Sequence, residues 1–365
     1  MTARPFRTLD PAFFAGLFDD PVLWIRINPT GRALLVDCGQ IHHLAKRVLR
    51  AVDTLFISHA HMDHFMGIDT FVRHAHVSPR TFEIFGPPGL SARLEHKLAG
   101  YDWNLAEKSW CSLRVREIFP ERTVSYLLPG AEGFRCRKEV EAARDGAMVH
   151  RTPQLTVSAA LCDHHIPVLA FRVDERPAFS IDPERLNAEG LVAGPWLQEL
   201  KRRFLRGELR GSLAVLRRRG ETIETGTAPD AAVLCAAIRR PLPPSSIGYL
   251  TDVGFTPENL TRLRPLLKGV TLLICECSFL AGDRGKARAS AHLCTSDVNR
   301  LAVELAPAYL LPMHLSKAYL RRPEQLFAEL SVPAATTLLR LPPHVPPRPL
   351  LPTEAPPLFR TNADR

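Results

Sequence analysis

No run of about 18 consecutive apolar residues occurs in this chain, which excludes a membrane-spanning helix. The first twenty residues, MTARPFRTLDPAFFAGLFDD, lack a sustained apolar stretch and carry acids early, so no secretory leader is expected. Cysteine never occurs as a CxxC pair; the eight thiols stand apart at 38, 111, 136, 162, 235, 275, 277 and 294. A chain of 365 residues needs no disulfide staples, so reduced thiols in a cytoplasmic setting are expected. No internal repeat is found. What remains is an ordinary globular composition, 45% hydrophobic and 23% charged, long enough for one large domain or two small ones.

The net charge of +9 is unevenly placed. Residues 201–219, KRRFLRGELRGSLAVLRRR, hold eight basic residues and one acid, a net +7. The other 346 residues carry only +2. Charge at that local density attracts polyanions, although a solvated face has the same composition.

Apolar runs predict strands at 22–27, 33–39, 53–59, 81–86, 155–162, 168–173, 247–253, 270–277 and 308–314. Several are apolar on both faces, as in sheets covered by helices. Helices fit between them. Thr256 is placed to cap TPENLTRLRPLL with Pro257 in its first turn. Thr295 or Ser296 is placed to cap the stretch leading into VNRLAVELA, and PEQLFAEL is a third helix candidate. The chain therefore reads as α/β. Residues 342–357 hold eight prolines in sixteen positions, so a polyproline-like tail is expected over 342–365. The stretch 91–154, with Trp103 and Trp110, carries no motif beyond packing aromatics.

The densest chemical signal is SHAHMDH at 58–64, directly after the apolar run DTLFIS. Strand ends are where α/β folds place their sites. His59 and His61 point to one side of an extended or turning segment, while Asp63 and His64 lie past the turn and face a second position. One short motif can thus serve two metals, and imidazole and carboxylate are good zinc donors. Further candidates close other strand-like runs: His164 after LTVSAALCD, Asp252 after IGYLT, and His314 after AYLLPM. A carboxylate such as Asp252 can bridge two cations about 3.5–4 Å apart. Manganese or iron would accept the same donors.

An HxHxDH motif followed by separated His, Asp and His resembles the metallo-β-lactamase fold superfamily. The resemblance spans roughly residues 33–320 and implies an αββα four-layer sandwich forming one catalytic domain over 1–341. It also implies that His59, His61 and His164 hold one zinc, that Asp63, His64 and His314 hold a second, and that Asp252 bridges the two. Asp37 in LLVDCG matches the superfamily's supporting aspartate.

Within the superfamily the details resemble the ribonuclease Z family, endonucleases of tRNA precursors. DHHIPVLAFRV (163–173), GPWLQELKRRFLRGE (194–208), CECSF (275–279), AHLCT (291–295) and MHLSKAY (313–319) carry that likeness. The chain departs from the family pattern at Ala170, Phe171, Thr251, Val253, Cys275 and Ala318. The likeness implies a basic arm at about 194–219. Gly194 and Pro195 mark it, and Lys201, Arg202, Arg203 and Arg206 face precursor tRNA. It further implies a catalytic group of Asp63, which orients or deprotonates the nucleophile, and His292, held by Glu276, which serves the leaving oxygen. The expected function is removal of 3′ trailers from tRNA precursors by a cytoplasmic, two-zinc homodimer with no membrane partner. Two alternatives stay open: a dizinc hydrolase of a small ester, lactone or cyclic nucleotide, whose arm serves dimer contacts, and a non-catalytic RNA-binding module.

Overall fold

The computed structural model describes residues 5–28, 30–176, 178–242 and 244–345. Alternation of side chains along a strand decides its layers. In Leu23–Ile27 and Arg32–Val36, the side chains of Leu23, Ile25, Ile27, Leu34 and Val36 enter one core, while Ala33, Leu35 and Trp24 enter another. Strands buried on both faces need cover on both sides. The fold supplies it in four layers.

One sheet has eight strands in chain order, from Leu9–Phe13 to Arg137–Ala143, with Arg32–Val36, Val52–Phe56, Thr81–Gly86 and Ser112–Ile118 running parallel. The other has seven strands, in the order Thr337–Leu338, Tyr309–Met313, Leu272–Glu276, Ser246–Leu250, Pro167–Glu175, Leu155–Asp163 and Met148–Arg151. The sheets share a core that includes Phe56, Phe85, Phe171, Tyr249, Ile274 and Met313. Helices Ile68–Ala75 and Leu90–Leu98 cover the outer face of the first sheet through Phe71, Val72 and Leu94. Helices Pro257–Leu267 and Thr295–Leu305 cover the second through Leu263, Leu267, Leu301 and Leu305. This is the αββα sandwich of the metallo-β-lactamase fold.

Thr256 caps its helix as expected, accepting from Asn259 N at 3.2 Å. The next helix differs from expectation. Its cap residue is Cys294, not Thr295 or Ser296, and Asp297 Oδ2 accepts from Cys294 N at 3.0 Å. Trp103 and Trp110 pack with Phe134 and His76 at the edge of the first helical layer.

Between strands Pro167–Glu175 and Ser246–Leu250 the chain leaves the sandwich. Strands Ala178–Ile181 and Arg239–Leu242 pair antiparallel as a neck. Beyond them lie helix Trp196–Arg206, a sheet of Leu191–Val192, Leu213–Arg219 and Thr222–Ala228, and helix Ala231–Ile238. These elements bury their own cluster around Trp196, Leu200, Val215 and Leu234. The basic segment 194–219 is the middle of this protrusion, which spans 178–242.

Of the proline-rich segment, residues 342–345 are described; 346–365 lie outside the described residues. Leu17 N donates to Pro342 O at 2.8 Å and Phe18 N to Pro343 O at 3.1 Å, so the segment starts packed against the loop after the first strand. No helix among the described residues is long and apolar enough to cross a membrane.

Candidate metal centre and the neighbouring Glu–His pair

Parallel strands end at the same edge, and that edge gathers the candidate ligands. The loop after Val52–Phe56 brings His59 and His61, and the short helix Met62–Phe65 that follows brings Asp63 and His64; the turn after Leu155–Asp163 brings His164. The ends of Ser246–Leu250 and Tyr309–Met313 bring Asp252 and His314. Two of these turns hold positive φ angles, rare for residues with a side chain: His165 at 59° and His314 at 60°; Asp37, after Arg32–Val36, holds one of 55°.

The seven side chains meet in two groups that share Asp252. His59, His61, His164 and Asp252 form one, and Asp63, His64, Asp252 and His314 the other; within each, the potential donor atoms lie within 4.8 Å of one another. Asp252 Oδ2 lies 3.6 Å from His59 Nε2, 3.5 Å from His64 Nε2 and 3.7 Å from His164 Nε2. His314 Nε2 is 3.0 Å from Asp63 Oδ2.

The opposite ring nitrogens are held from behind. Ser58 Oγ is 3.0 Å from His59 Nδ1, Asp37 Oδ2 is 2.8 Å from His64 Nδ1, and Ala291 O is 2.9 Å from His164 Nδ1. Ser278 Oγ lies 3.3 Å from His314 Nδ1. Such partners fix which nitrogen each imidazole presents, the usual outer shell of a metal site. All four aim Nε2 inward, whereas His61 presents Nδ1, 3.0 Å from His59 Nε2.

The donor set fits a metal. The Nε2 of His64 is buried without a hydrogen-bond partner and faces Asp252 and Asp63. An orphaned buried nitrogen costs free energy unless something accepts its lone pair or proton. Burial and the neighbouring His64 push His59 down to about 2, the neutral form that a ligand needs. Burial and His164 likewise lower His61. Burial opposes ionisation of Asp252, yet His314 and His64 hold it well below the usual carboxylate range. For His64, burial is outweighed by the Asp252 and Asp37 carboxylates, which raise it well above its ordinary value. Carboxylates pulling positive charge onto a buried imidazole make a field that a cation satisfies. Three histidines with one carboxylate, and two histidines with two carboxylates, are donor sets suited to zinc.

Glu276 and His292 come from different elements, the end of Leu272–Glu276 and the loop before Thr295–Leu305, and they meet beside this cluster. Glu276 is fully buried: Oε1 accepts from Val253 N at 2.8 Å, and Oε2 accepts from Ser278 Oγ at 2.7 Å and faces His292 Nδ1 at 2.9 Å. His292 Nδ1 is also 4.0 Å from Asp252 Oδ1. Burial lowers His292, but Glu276 overrides it and lifts the imidazole to about 9.

Sequence reasoning missed Ser278 and Tyr249. The hydroxyl of Ser278 reaches Glu276 and the backbone and ring of His314, and Tyr249 donates to Asp37 Oδ2 at 2.8 Å. Tyr249 reads as one more apolar strand residue; only its place three residues before Asp252 is a signal.

The arm residues lie in the protrusion and belong to neither donor group. Pro195 opens helix Trp196–Arg206, and a side chain on Gly194 would meet Leu216 Cδ1 at 2.7 Å, so the glycine permits close packing there. Arg202 and Arg203 both pair with Glu199, the latter at 2.8 Å, and Arg206 faces Glu208 at 4.0 Å. Lys201, Arg210, Arg217 and Arg218 form no salt bridge among the described residues.

Comparison with known proteins agrees with this geometry. The model of the beta-lactamase superfamily domain matches residues 24–174. A ribonuclease Z of Deinococcus radiodurans is 31% identical over 308 residues, covering 82% of this chain and 88% of the relative. Among solved structures, the metallo-beta-lactamase fold protein YhfI from Bacillus subtilis superposes with a TM-score of 0.50 at 14% identity, covering 92% of this chain and 97% of that one. A long form RNase Z from yeast gives 0.51 at 10% identity, over 94% of this chain and 42% of that one.

Proposed function

This chain belongs to the ribonuclease Z family of metallo-β-lactamase-fold hydrolases, and from that membership we propose that it is a two-zinc endonuclease removing 3′ trailers from tRNA precursors. The observation that carries the reading is convergence: His59, His61, His164 and Asp252 meet Asp63, His64 and His314 at one strand edge, with the Glu276–His292 pair alongside.

His59, His61 and His164 would hold one zinc and Asp63, His64 and His314 the other, with Asp252 shared. Zinc held at these positions would acidify a water and neutralise charge on the scissile phosphate. Asp63, half-buried and held by His314, orients the attacking water or takes its proton. His292, fixed by Glu276 and protonated near neutral pH, gives a proton to the leaving 3′ oxygen. The arm grips RNA phosphates, which contributes affinity without reading bases. The active form is a homodimer in the cytoplasm, a setting that the eight unpaired cysteines support.

The test is incubation with a 3′-extended tRNA precursor and with bis-p-nitrophenyl phosphate, each with and without chelator. Chelator-sensitive release of the trailer is expected. Cleavage of the small ester alone would favour a generic dizinc hydrolase. Shifted RNA mobility with no cleavage of either substrate would mark a binding module.

A further inference from the structure

Beside the candidate metal centre lies a cavity of about 210 Å³, whose lining includes Asp63, His292 and His314 together with Asp19, Asp20 and Lys317. Its size is below the roughly 300–1,000 Å³ of a pocket for a whole drug-sized ligand, so it suits part of a single nucleotide. Asp19, Asp20 and Lys317 are not equivalent. Asp19 is fully committed to the fold. Its Oδ2 accepts from Gly16 N at 2.8 Å and from Val345 N at 2.6 Å, and its Oδ1 faces His344 Nδ1 at 2.6 Å. Asp20 accepts no hydrogen bond among the described residues, and Lys317 forms no salt bridge among them.

The placement of Asp20 is built. Gly39 separates the metal loop from the Asp20 loop so closely that a Cβ there would lie 2.1 Å from Asp63 O and 2.3 Å from Asp20 Cβ. Lys317 is held by the turn after His314: Leu315 N donates to Leu17 O at 2.9 Å and Ser316 N to Ser278 O at 3.0 Å. The first of these bonds also ties the turn carrying Lys317 to the loop that carries Asp20.

An ionised carboxylate is acceptor-only. Beside a phosphodiester chain it repels, unless the substrate offers it a donor. Ribose offers one in its 2′-hydroxyl, the group by which proteins tell RNA from DNA. His292 faces the leaving 3′ oxygen in the reading above, and a ribose so placed puts its 2′-hydroxyl one carbon away, in this cavity. Lys317 supplies the opposite charge for a phosphate on that nucleotide.

We propose that this cavity is the subsite for the ribose bearing the leaving oxygen, with Asp20 accepting its 2′-hydroxyl and Lys317 contacting its phosphate. Asp20 is thereby a residue that selects RNA over DNA. The inference rests on the RNA-cleaving reading and deepens it.

The experiment compares kcat/KM for a 3′-extended tRNA precursor with that for the same RNA carrying one 2′-deoxy sugar at the nucleotide 5′ of the cleaved bond. The intact protein should prefer the all-ribose substrate by roughly tenfold or more. In Asp20→Ala that ratio should fall to about 1, with metal content by elemental analysis unchanged. Lys317→Ala should raise KM for the precursor and reduce its salt slope by about 1, and Lys317→Arg should restore both. The subsite is overturned if the intact protein shows no sugar preference, if the preference survives in Asp20→Ala, or if Asp20→Ala loses metal and slows both substrates equally. If the intact protein cleaves bis-p-nitrophenyl phosphate but neither RNA, the ribonuclease reading itself fails and the subsite falls with it.

Discussion

The Tyr249 hydroxyl donates to Asp37 Oδ2 at 2.8 Å, and the same oxygen lies 2.8 Å from His64 Nδ1. Asp37 also accepts from Ser58 N at 2.7 Å and Ser58 Oγ at 2.8 Å. One buried carboxylate thus ties the loop carrying four candidate ligands to a strand of the opposite sheet. Outer-shell partners of this type typically contribute 10–100-fold in metal affinity or activity. Tyr249→Phe should weaken zinc binding by roughly tenfold, and Asp37→Asn by more, because it also loosens His64. Competition with a chromophoric chelator measures both. Unchanged affinity in the two variants would remove Asp37 from the metal site.

Asp252 is the single carboxylate common to both donor groups. The protein should carry two zincs by elemental analysis, and Asp252→Ala should weaken or release both. A value of one zinc, unchanged by added metal, would refute the dinuclear centre.

Asp297 links stability to the loop that carries His292. Its two oxygens accept from Arg288 at 2.6 and 2.8 Å, and one also accepts from Cys294 N at 3.0 Å. These bonds bracket the loop that carries His292. Burial opposes ionisation of Asp297, but Arg288 holds its carboxyl below the usual range. A folded-state value below the unfolded one means that the stabilisation is complete above the unfolded value, about 4, and is lost as pH falls through the folded value. Asp297→Asn should therefore lower stability by about 2 kcal/mol near neutral pH and flatten the acid limb of the stability curve below about pH 4. Urea unfolding across that range checks both signs.

The convergence of the candidate ligands was legible because HxHxDH is dense and the remaining candidates close apolar strands, where parallel topology brings them to one edge. Part of each sheet was legible for a related reason: continuous apolar runs such as LLIC and ALLV survive only when both faces are buried. The strands Ser112–Ile118 and Arg137–Ala143, in the stretch 91–154 that showed no motif, were not, because the first alternates buried and half-buried side chains and the second is exposed throughout. Asp20 was not legible. It sits in a short loop with no periodicity, and only the close approach at Gly39 brings it to the site. The extent of the protrusion was also hidden. Its basic middle stands out, but its neck strands are four residues each and carry no apolar run. The cap at Cys294 escaped reading because the capping group is the Asp297 side chain, reached from within the helix.

Ion pairing divides the arm's cations. Replacing Lys201, Arg202, Arg203 and Arg206 by alanine should weaken precursor-tRNA binding and flatten its salt dependence, while hydrolysis of bis-p-nitrophenyl phosphate is retained. Arg202 and Arg203 already share Glu199, so part of their charge is neutralised within the helix. Replacing Arg210, Arg217 and Arg218, which form no such pairs among the described residues, should cost more affinity per residue. Every phosphate deprived of its cation should reduce the slope of log K against log salt by roughly 0.7–0.9. Filter binding at several salt concentrations separates the two sets. Unaltered affinity at low salt in both would assign the protrusion to contacts between protomers.

His292 carries the heaviest claim of the proposed mechanism, because zinc at the candidate centre would supply a nucleophile but no proton for the leaving oxygen. Its ring is fixed by Glu276 at 2.9 Å and lies beside the rings of His164 and His314, at 4.7 and 5.9 Å between centroids. It is thus close enough to reach a substrate bound at the centre, yet its partner is a buried carboxylate. His292→Ala should lower kcat on precursor RNA by roughly 10²-fold or more with two metals retained. A good leaving group needs less protonation, so the loss on bis-p-nitrophenyl phosphate should be much smaller. Glu276→Gln should show the same contrast in weaker form, since it keeps the shape of the site and removes only the charge that orients the imidazole and favours its protonation. Equal losses on both substrates would mean that His292 acts on the metals or the phosphate, not on the leaving oxygen. Full activity of His292→Ala on the precursor would leave the dinuclear centre in place and end the case for an acid at this position.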